Sequence, residues 1–333
     1  MNLSFAIIGC GKIAPRHANE AGKHGILTAV CDIIPERADL LAQQFNARPY
    51  YSIEDLLKNE SPSVVAVCTP NGLHAEHSIL ALENGSHVLC EKPLSISSKD
   101  SEKMISAART ANRKLFVVKS TRYNPALIKL KEFIDGNNFG RLYSFQMNCF
   151  WNRPPAYYEN TWRGSMNEDG GTLFTQFSHY IDALLWLAGD IRNLSGFRNN
   201  AAHQGIIAFE DSGVVAVEME NGMIGGINWS VNTYQKNMEV SLTMIGEKGS
   251  IRIGGEYMNQ VEYQVFEDTM FTVPADGGPN DYGFYKGSMS NHGQVYDNMI
   301  KAITNDQHPF TYGEEGLKTV RIIERIYNTV SLS

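Results

Sequence analysis

At 333 residues the chain is long for a single hydrophobic core, so two domains are expected. A composition of 43% hydrophobic and 20% charged residues suits a soluble globular protein. The net charge of -7 excludes a general nucleic-acid binder, because phosphate affinity needs a basic face. It leaves room for a small anion, which needs only one or two local arginines.

The amino terminus, MNLSFAIIGCG, has no basic stretch before its apolar run and reads as a strand rather than a secretory leader. The longest apolar runs, such as Ser63 to Cys68, fall far short of the ~20 residues of a membrane span. A cytoplasmic protein without a membrane partner is therefore expected. The cysteines (Cys10, Cys31, Cys68, Cys90 and Cys149) are odd in number and never spaced C-x-x-C, which suits free thiols in a reducing cytosol. His74 and His77 could share a helix face, but no third ligand stands at zinc spacing, so no metal is expected.

Over residues 1–121, five short apolar runs (SFAIIG, LTAVCD, SVVAVCT, SHVLCE and KLFVVKS) alternate with segments whose apolar residues recur every three to four positions. Ser52 with Asp55 resembles a capping box, and Gly85 can close the helix before it. Such alternation predicts an α/β domain, a doubly wound parallel sheet with helices on both faces.

From residue 122 to 333 the pattern changes to α+β with a large, mostly antiparallel, open-faced sheet. A helix is expected over 125–134, a strand over 141–150, and a glycine-flanked helix at FTQFSHYIDALLWLAG. Longer strands follow over 192–266, with Asn221-Gly222 marking a hairpin. Residues 274–292 read as a long loop, and two helices are expected over 294–304 and 314–329.

The first strand runs straight into Gly9-Cys10-Gly11-Lys12-Ile13-Ala14 and a helix. In that context the spacing fits a dinucleotide loop. Gly9 makes the tight turn, Gly11 lets the backbone approach a pyrophosphate, and the small Ala14 lets helix and strand pack closely. Asp32 ends the second apolar run, where a carboxylate can accept hydrogen bonds from both ribose hydroxyls and repel a 2′-phosphate. Together these predict NAD rather than NADP as cofactor. Ligands of such sheets lie beyond the carboxyl ends of the strands. Those ends carry Thr69, Pro70, Asn71 and His74 after one strand and Glu91, Lys92 and Pro93 after the next.

The GCGKIA loop with His17, the CTPNGLHAEH and CEKPL segments, and DGGTLFTQFSHYIDALLWLAG resemble the Gfo/Idh/MocA family over essentially the whole chain. That resemblance implies a Rossmann domain followed by an open-faced α/β domain, dimers or tetramers, and hydride transfer between NAD(P) and a sugar or cyclitol. It assigns Lys92 to the reacting hydroxyl, through a motif whose Lys-Pro bond is often cis, and makes His179 the second catalytic group. Either could take the proton. Many relatives carry an aspartate where this chain has Thr175, a departure from an inositol dehydrogenase-like triad.

Within the family, the stretch from Ile13 to His17 and the segment FWNRPPAYYENTWRG resemble the UDP-N-acetyl-2-amino-2-deoxyglucuronate dehydrogenases. The implied substrate is a nucleotide sugar, UDP-N-acetylglucosaminuronic acid, oxidised at its 3-hydroxyl in the synthesis of bacterial surface polysaccharide. The alternatives are an inositol or other sugar dehydrogenase, or an NAD-dependent glycosidase without net redox. Substrate contacts are expected from Lys92, Arg122, Asn124, Arg153, Tyr158, Arg163, Thr175, His179 and His292. Arg153 and Arg163 flank an aromatic cluster, so they either grip an anion or simply stack on the rings.

Overall fold

The computed structural model describes residues 3–267, 271–273, 279–281, 286–289, 291–305 and 311–332. The chain forms two compact units: residues 1–119 with 292–321, and residues 120–291 with 322–333. The first break lies close to the expected boundary at 121. The later segment differs from the expected division, because residues 292–321 return to the first unit.

In the first unit, strands and helices alternate as β1 (Leu3–Ile8), α1 (Ala14–His24), β2 (Gly25–Cys31), α2 (Pro35–Phe45), β3 (Arg48–Tyr50), α3 (Ile53–Asn59), β4 (Val64–Val67), α4 (His74–Glu83), β5 (His87–Cys90), α5 (Ser98–Thr110) and β6 (Leu115–Val117). The sheet order is β3-β2-β1-β4-β5-β6, and every adjacent pair is parallel. Strands β4 and β6 are buried throughout, as strands covered on both faces must be. One strand escaped the sequence reading. Only three residues long, β3 lies at the sheet edge and contains Pro49, which a central strand would not tolerate. Ser52 caps α3 by accepting from the Asp55 N–H at 3.1 Å.

The second unit holds α6 (Pro125–Asp135), β7 (Leu142–Phe150), a π-helical turn at Leu173–Phe177 that runs into α7 (Ser178–Ala188), and then β8 (Ile191–Asn199), β9 (Ser212–Met219), β10 (Ile224–Ser230), β11 (Glu239–Gly246), β12 (Gly249–Gly254) and β13 (Gln260–Phe266). These strands make a seven-stranded sheet in the order β13-β12-β11-β7-β10-β9-β8, antiparallel except for the β7/β10 pair. The β9–β10 hairpin turns at Asn221-Gly222, where Gly222 takes φ of 83°. Alternation decides the faces. Phe145, Met147, Cys149, Val215, Val217, Ile227, Trp229, Val240, Leu242 and Met244 are buried on one side. The opposite side leaves Phe197, Val214, Ile224, Ile245, Tyr263 and Val265 exposed.

Of the long loop expected over 274–292, residues of β14 (Pro279–Asp281) and β15 (Lys286–Met289) form a short antiparallel ladder. Positions 274–278, 282–285 and 290 lie outside the described residues. Helices α8 (His292–Asn305) and α9 (Gly313–Thr329) complete the chain. The described residues contain no helix long and apolar enough to cross a membrane.

Candidate active site

In the first unit the turn after β1 is built by close backbone approach. Gly9 has φ of 94°, and a Cβ there would stand 2.7 Å from the carbonyl carbon and oxygen of Cys68. Only glycine fits. Two residues on, a Cβ at Gly11 would meet nothing within 4 Å. Helix α1 opens just beyond, with the Ala14 N–H donating to Gly11 O at 3.1 Å. Ala14 is buried, Ile13 half-buried and Lys12 exposed.

Asp32 stands at the end of β2 and is held from both sides. Its Oδ2 accepts from the Cys10 N–H at 2.8 Å, and its Oδ1 accepts from the Ile34 N–H at 2.9 Å. The carboxylate is thereby fixed beside the glycine turn. An open Gly11, a helix amino terminus and an acid so placed fit a dinucleotide: backbone for the pyrophosphate, carboxylate for the ribose.

The loops after β4 and β5 are joined through His74, which is 1% exposed. One ring nitrogen lies 2.6 Å from Pro93 O and the other 2.9 Å from Thr69 O. Thr69 also meets His77, with Oγ1 3.0 Å from Nδ1, and burial pulls His77 down to about 4. Asn71 is buried, and Thr69 and Pro70 are half-buried. The Lys92–Pro93 peptide is cis. Lys92 is half-buried, and its N–H donates to Glu91 Oε2 at 3.0 Å. His292, expected to touch substrate, is buried at the start of α8 with Nε2 3.2 Å from Glu91 Oε1.

In the second unit, His179 lies in the first turn of α7 and is 4% exposed. The π-helical turn just before it widens the backbone by one residue, a device common at functional sites. Tyr327 holds that turn. Its hydroxyl accepts from the Leu173 N–H at 2.9 Å and donates to Glu210 at 2.8 Å. Thr175 donates its hydroxyl to Asp169, a buried carboxyl that also accepts from the Gly164 N–H at 2.9 Å. Burial pushes Asp169 up to about 6, against the pull of those hydrogen bonds. Neither Asp169 nor Glu210 was singled out from sequence. Asp169 directly precedes the glycine pair, and that adjacency was the available signal.

The expected cations take internal partners. Arg122 is buried, with Nε and Nη2 donating to the two carboxylate oxygens of Asp182 at 2.7 and 2.8 Å. Arg153 is 2% exposed, lies over the Trp151 and Tyr157 rings, and donates to Gln176 at 2.8 Å. Asn124 accepts from Asn291 at 2.6 Å, and Tyr158 is buried against Ile207 and Phe209. Arg163 is half-buried, lies 4.7 Å from the Tyr157 ring centre and 4.9 Å from that of Trp162, and its charge pulls the Asp169 carboxyl down.

Comparison with known proteins agrees with both halves. Residues 3–119 match the model of an oxidoreductase family with an NAD-binding Rossmann fold, and residues 127–252 match the Gfo/Idh/MocA C-terminal domain. The WlbA dehydrogenase of Bordetella pertussis, solved with NADH and UDP-GlcNAcA, is 33% identical with a TM-score of 0.89, covering 99% of this chain and 96% of that one. The WlbA enzyme of Chromobacterium violaceum, also solved with NADH and UDP-GlcNAcA, is 34% identical with a TM-score of 0.89, covering 98% and 93%. Among characterised relatives, the D-glucoside 3-dehydrogenase of Escherichia coli is 26% identical over 297 residues, which is 80% of this chain and 84% of that enzyme. Residues 3–119 match the NAD-binding Rossmann domain of the Gfo/Idh/MocA family, and the chain belongs to that family of oxidoreductases.

Proposed function

We propose that this chain is a cytoplasmic, NAD-dependent sugar dehydrogenase that oxidises the 3-hydroxyl of UDP-N-acetylglucosaminuronic acid, a step in making diacetamido-uronic acids for bacterial surface polysaccharide. One observation carries the reading: 33–34% identity, across almost the whole chain, to two dehydrogenases solved with NADH and UDP-GlcNAcA.

The reaction removes the hydrogen on ring carbon 3 as hydride and the hydroxyl hydrogen as a proton, leaving a ketone. NAD, when bound, supplies the hydride acceptor. Asp32 selects it by accepting from the ribose hydroxyls and repelling a 2′-phosphate. Gly9 and Gly11 leave the main chain open to the pyrophosphate. Lys92 and His179 are the proposed acid–base groups for the hydroxyl. Arg163 is the proposed contact for a substrate anion, since the residue is half-buried while Arg122 and Arg153 are buried. The exposed apolar residues on one side of the seven-stranded sheet support a homo-oligomer, a dimer or tetramer.

The test incubates purified protein and NAD with UDP-N-acetylglucosaminuronic acid, with UDP-N-acetylglucosamine and with inositol, following absorbance of the reduced nicotinamide. The uronic acid should give much the highest kcat/KM. Equal values for the two nucleotide sugars, or turnover of inositol alone, would overturn the substrate assignment. Turnover of a glycoside without net reduction of NAD would instead favour the glycosidase reading.

A further inference from the structure

Glu91, at the end of β5, is buried and receives three hydrogen bonds from three parts of the first unit. His17 of α1 lies with Nε2 3.0 Å from Oε1, and His292 of α8 with Nε2 3.2 Å from the same oxygen. The Lys92 main-chain N–H takes Oε2 at 3.0 Å. Tyr296 completes the chain, its hydroxyl 2.9 Å from His17 Nδ1.

A carboxylate only accepts, so both imidazoles carry their proton on Nε2. The Tyr296 hydroxyl also lies 3.4 Å from His17 O, and the buried Nδ1 of His292 has no hydrogen-bond partner. Burial alone would raise the Glu91 carboxyl, but the two histidine hydrogen bonds hold it well below the usual carboxylate range. Burial likewise lowers His292 against the pull of Glu91, and so favours the uncharged ring.

Packing does not require this arrangement. An apolar side chain at 91 would fill the same space without the cost of a buried charge. Only a group with acceptors on two oxygens can take two imidazoles on one and a main-chain N–H on the other. That geometry fixes the carboxylate in two directions, and through it the backbone from which Lys92 projects.

We propose that His17, Glu91 and His292 are positioning residues for hydride transfer, holding the main chain of Lys92 so that its side chain meets the reacting hydroxyl. The inference rests on the role given to Lys92 above. The same three residues have the composition of a metal site, their ligand atoms all within 4.8 Å of one another. Two of those separations are hydrogen-bond lengths, and Oε2 is already taken by an N–H.

The test uses His292→Phe, which deletes the donor, and His292→Gln, whose amide restores an N–H at about the same reach. His292→Phe should lower kcat by roughly 10- to 100-fold, the scale of a sub-ångström to 1 Å misplacement. NAD affinity should stay near the wild-type value, the thermal midpoint should fall because the buried carboxylate loses a donor, and His292→Gln should recover most of both losses. A second measurement needs no sugar substrate: limited acetylation of the folded protein, with Lys92 labelling mapped by mass spectrometry and normalised to the exposed Lys12. His292→Phe and Glu91→Ala should change the relative rate at Lys92, and His292→Gln should not. Failure of wild-type protein to oxidise the uronic acid would count against the proposed substrate alone, because the labelling still decides the positioning role. Unchanged kcat and labelling in His292→Phe would overturn the proposal. So would a His292→Gln no better than the phenylalanine, or wild-type activity lost to chelator and restored by zinc.

Discussion

Replacing Gly9 and Gly11 separately by alanine should divide folding from cofactor binding. At Gly9 the added Cβ would stand 2.7 Å from Cys68 C and O and 2.8 Å from Thr69 N, all main-chain atoms that cannot swing aside. Its φ of 94° adds strain for any side chain. Overpacking of about 1–3 kcal/mol and backbone strain of about 1–3 kcal/mol together predict a loss of roughly 2–6 kcal/mol. For a domain with only about 5–15 kcal/mol in hand, that is a large fraction. At Gly11 the Cβ would meet nothing within 4 Å, so Gly11→Ala should melt close to wild type. The same methyl would stand where the main chain must approach the pyrophosphate, so NAD affinity should fall by an order of magnitude or more. Thermal melts and a direct NAD titration of both variants make the comparison. A Gly11→Ala protein that binds NAD as wild type would refute the placement of the pyrophosphate. A Gly9→Ala protein of unchanged stability would refute the steric argument.

Asp32→Ser should narrow the preference for NAD over NADP by removing the charge that repels a 2′-phosphate, measured as the ratio of the two dissociation constants; equal binding of both by wild type would contradict the assignment. Lys92→Ala and His179→Ala should each lower turnover by roughly 10²-fold or more while NAD still binds, the usual scale for acid–base groups; near-normal turnover in both would remove them from the chemistry. Glu210 makes a prediction about pH. Burial pushes its carboxyl from an ordinary 4.5 up to about 7, so the folded chain retains a proton that the unfolded chain releases. Stability should therefore fall as pH rises from about 4.5 to about 7, by about 3 kcal/mol from this group. Glu210→Gln should flatten that part of the profile in denaturant melts, and an unchanged slope would show that Glu210 titrates normally.

Much of the fold was legible because its signals are local. Apolar runs alternating with three-to-four spacing marked the Rossmann unit, the hairpin turn lay in Asn221-Gly222, and the cofactor turn in Gly9, Gly11 and Asp32. Strand β3 was not legible, because three residues with a proline carry too little periodicity to register. Partner choice among polar side chains was also hidden. The positive charge of Arg122 is plain in the sequence, but folding brings Asp182 to it from 60 residues away and buries the pair. His292 looked like a free polar group in a loop, yet it meets Glu91 across 201 residues. Local sequence determined which segments become strands, helices and turns, because those preferences act over a few residues. Tertiary structure decided which charges are left for a ligand, because a buried polar group takes whatever partner the fold brings within hydrogen-bond reach.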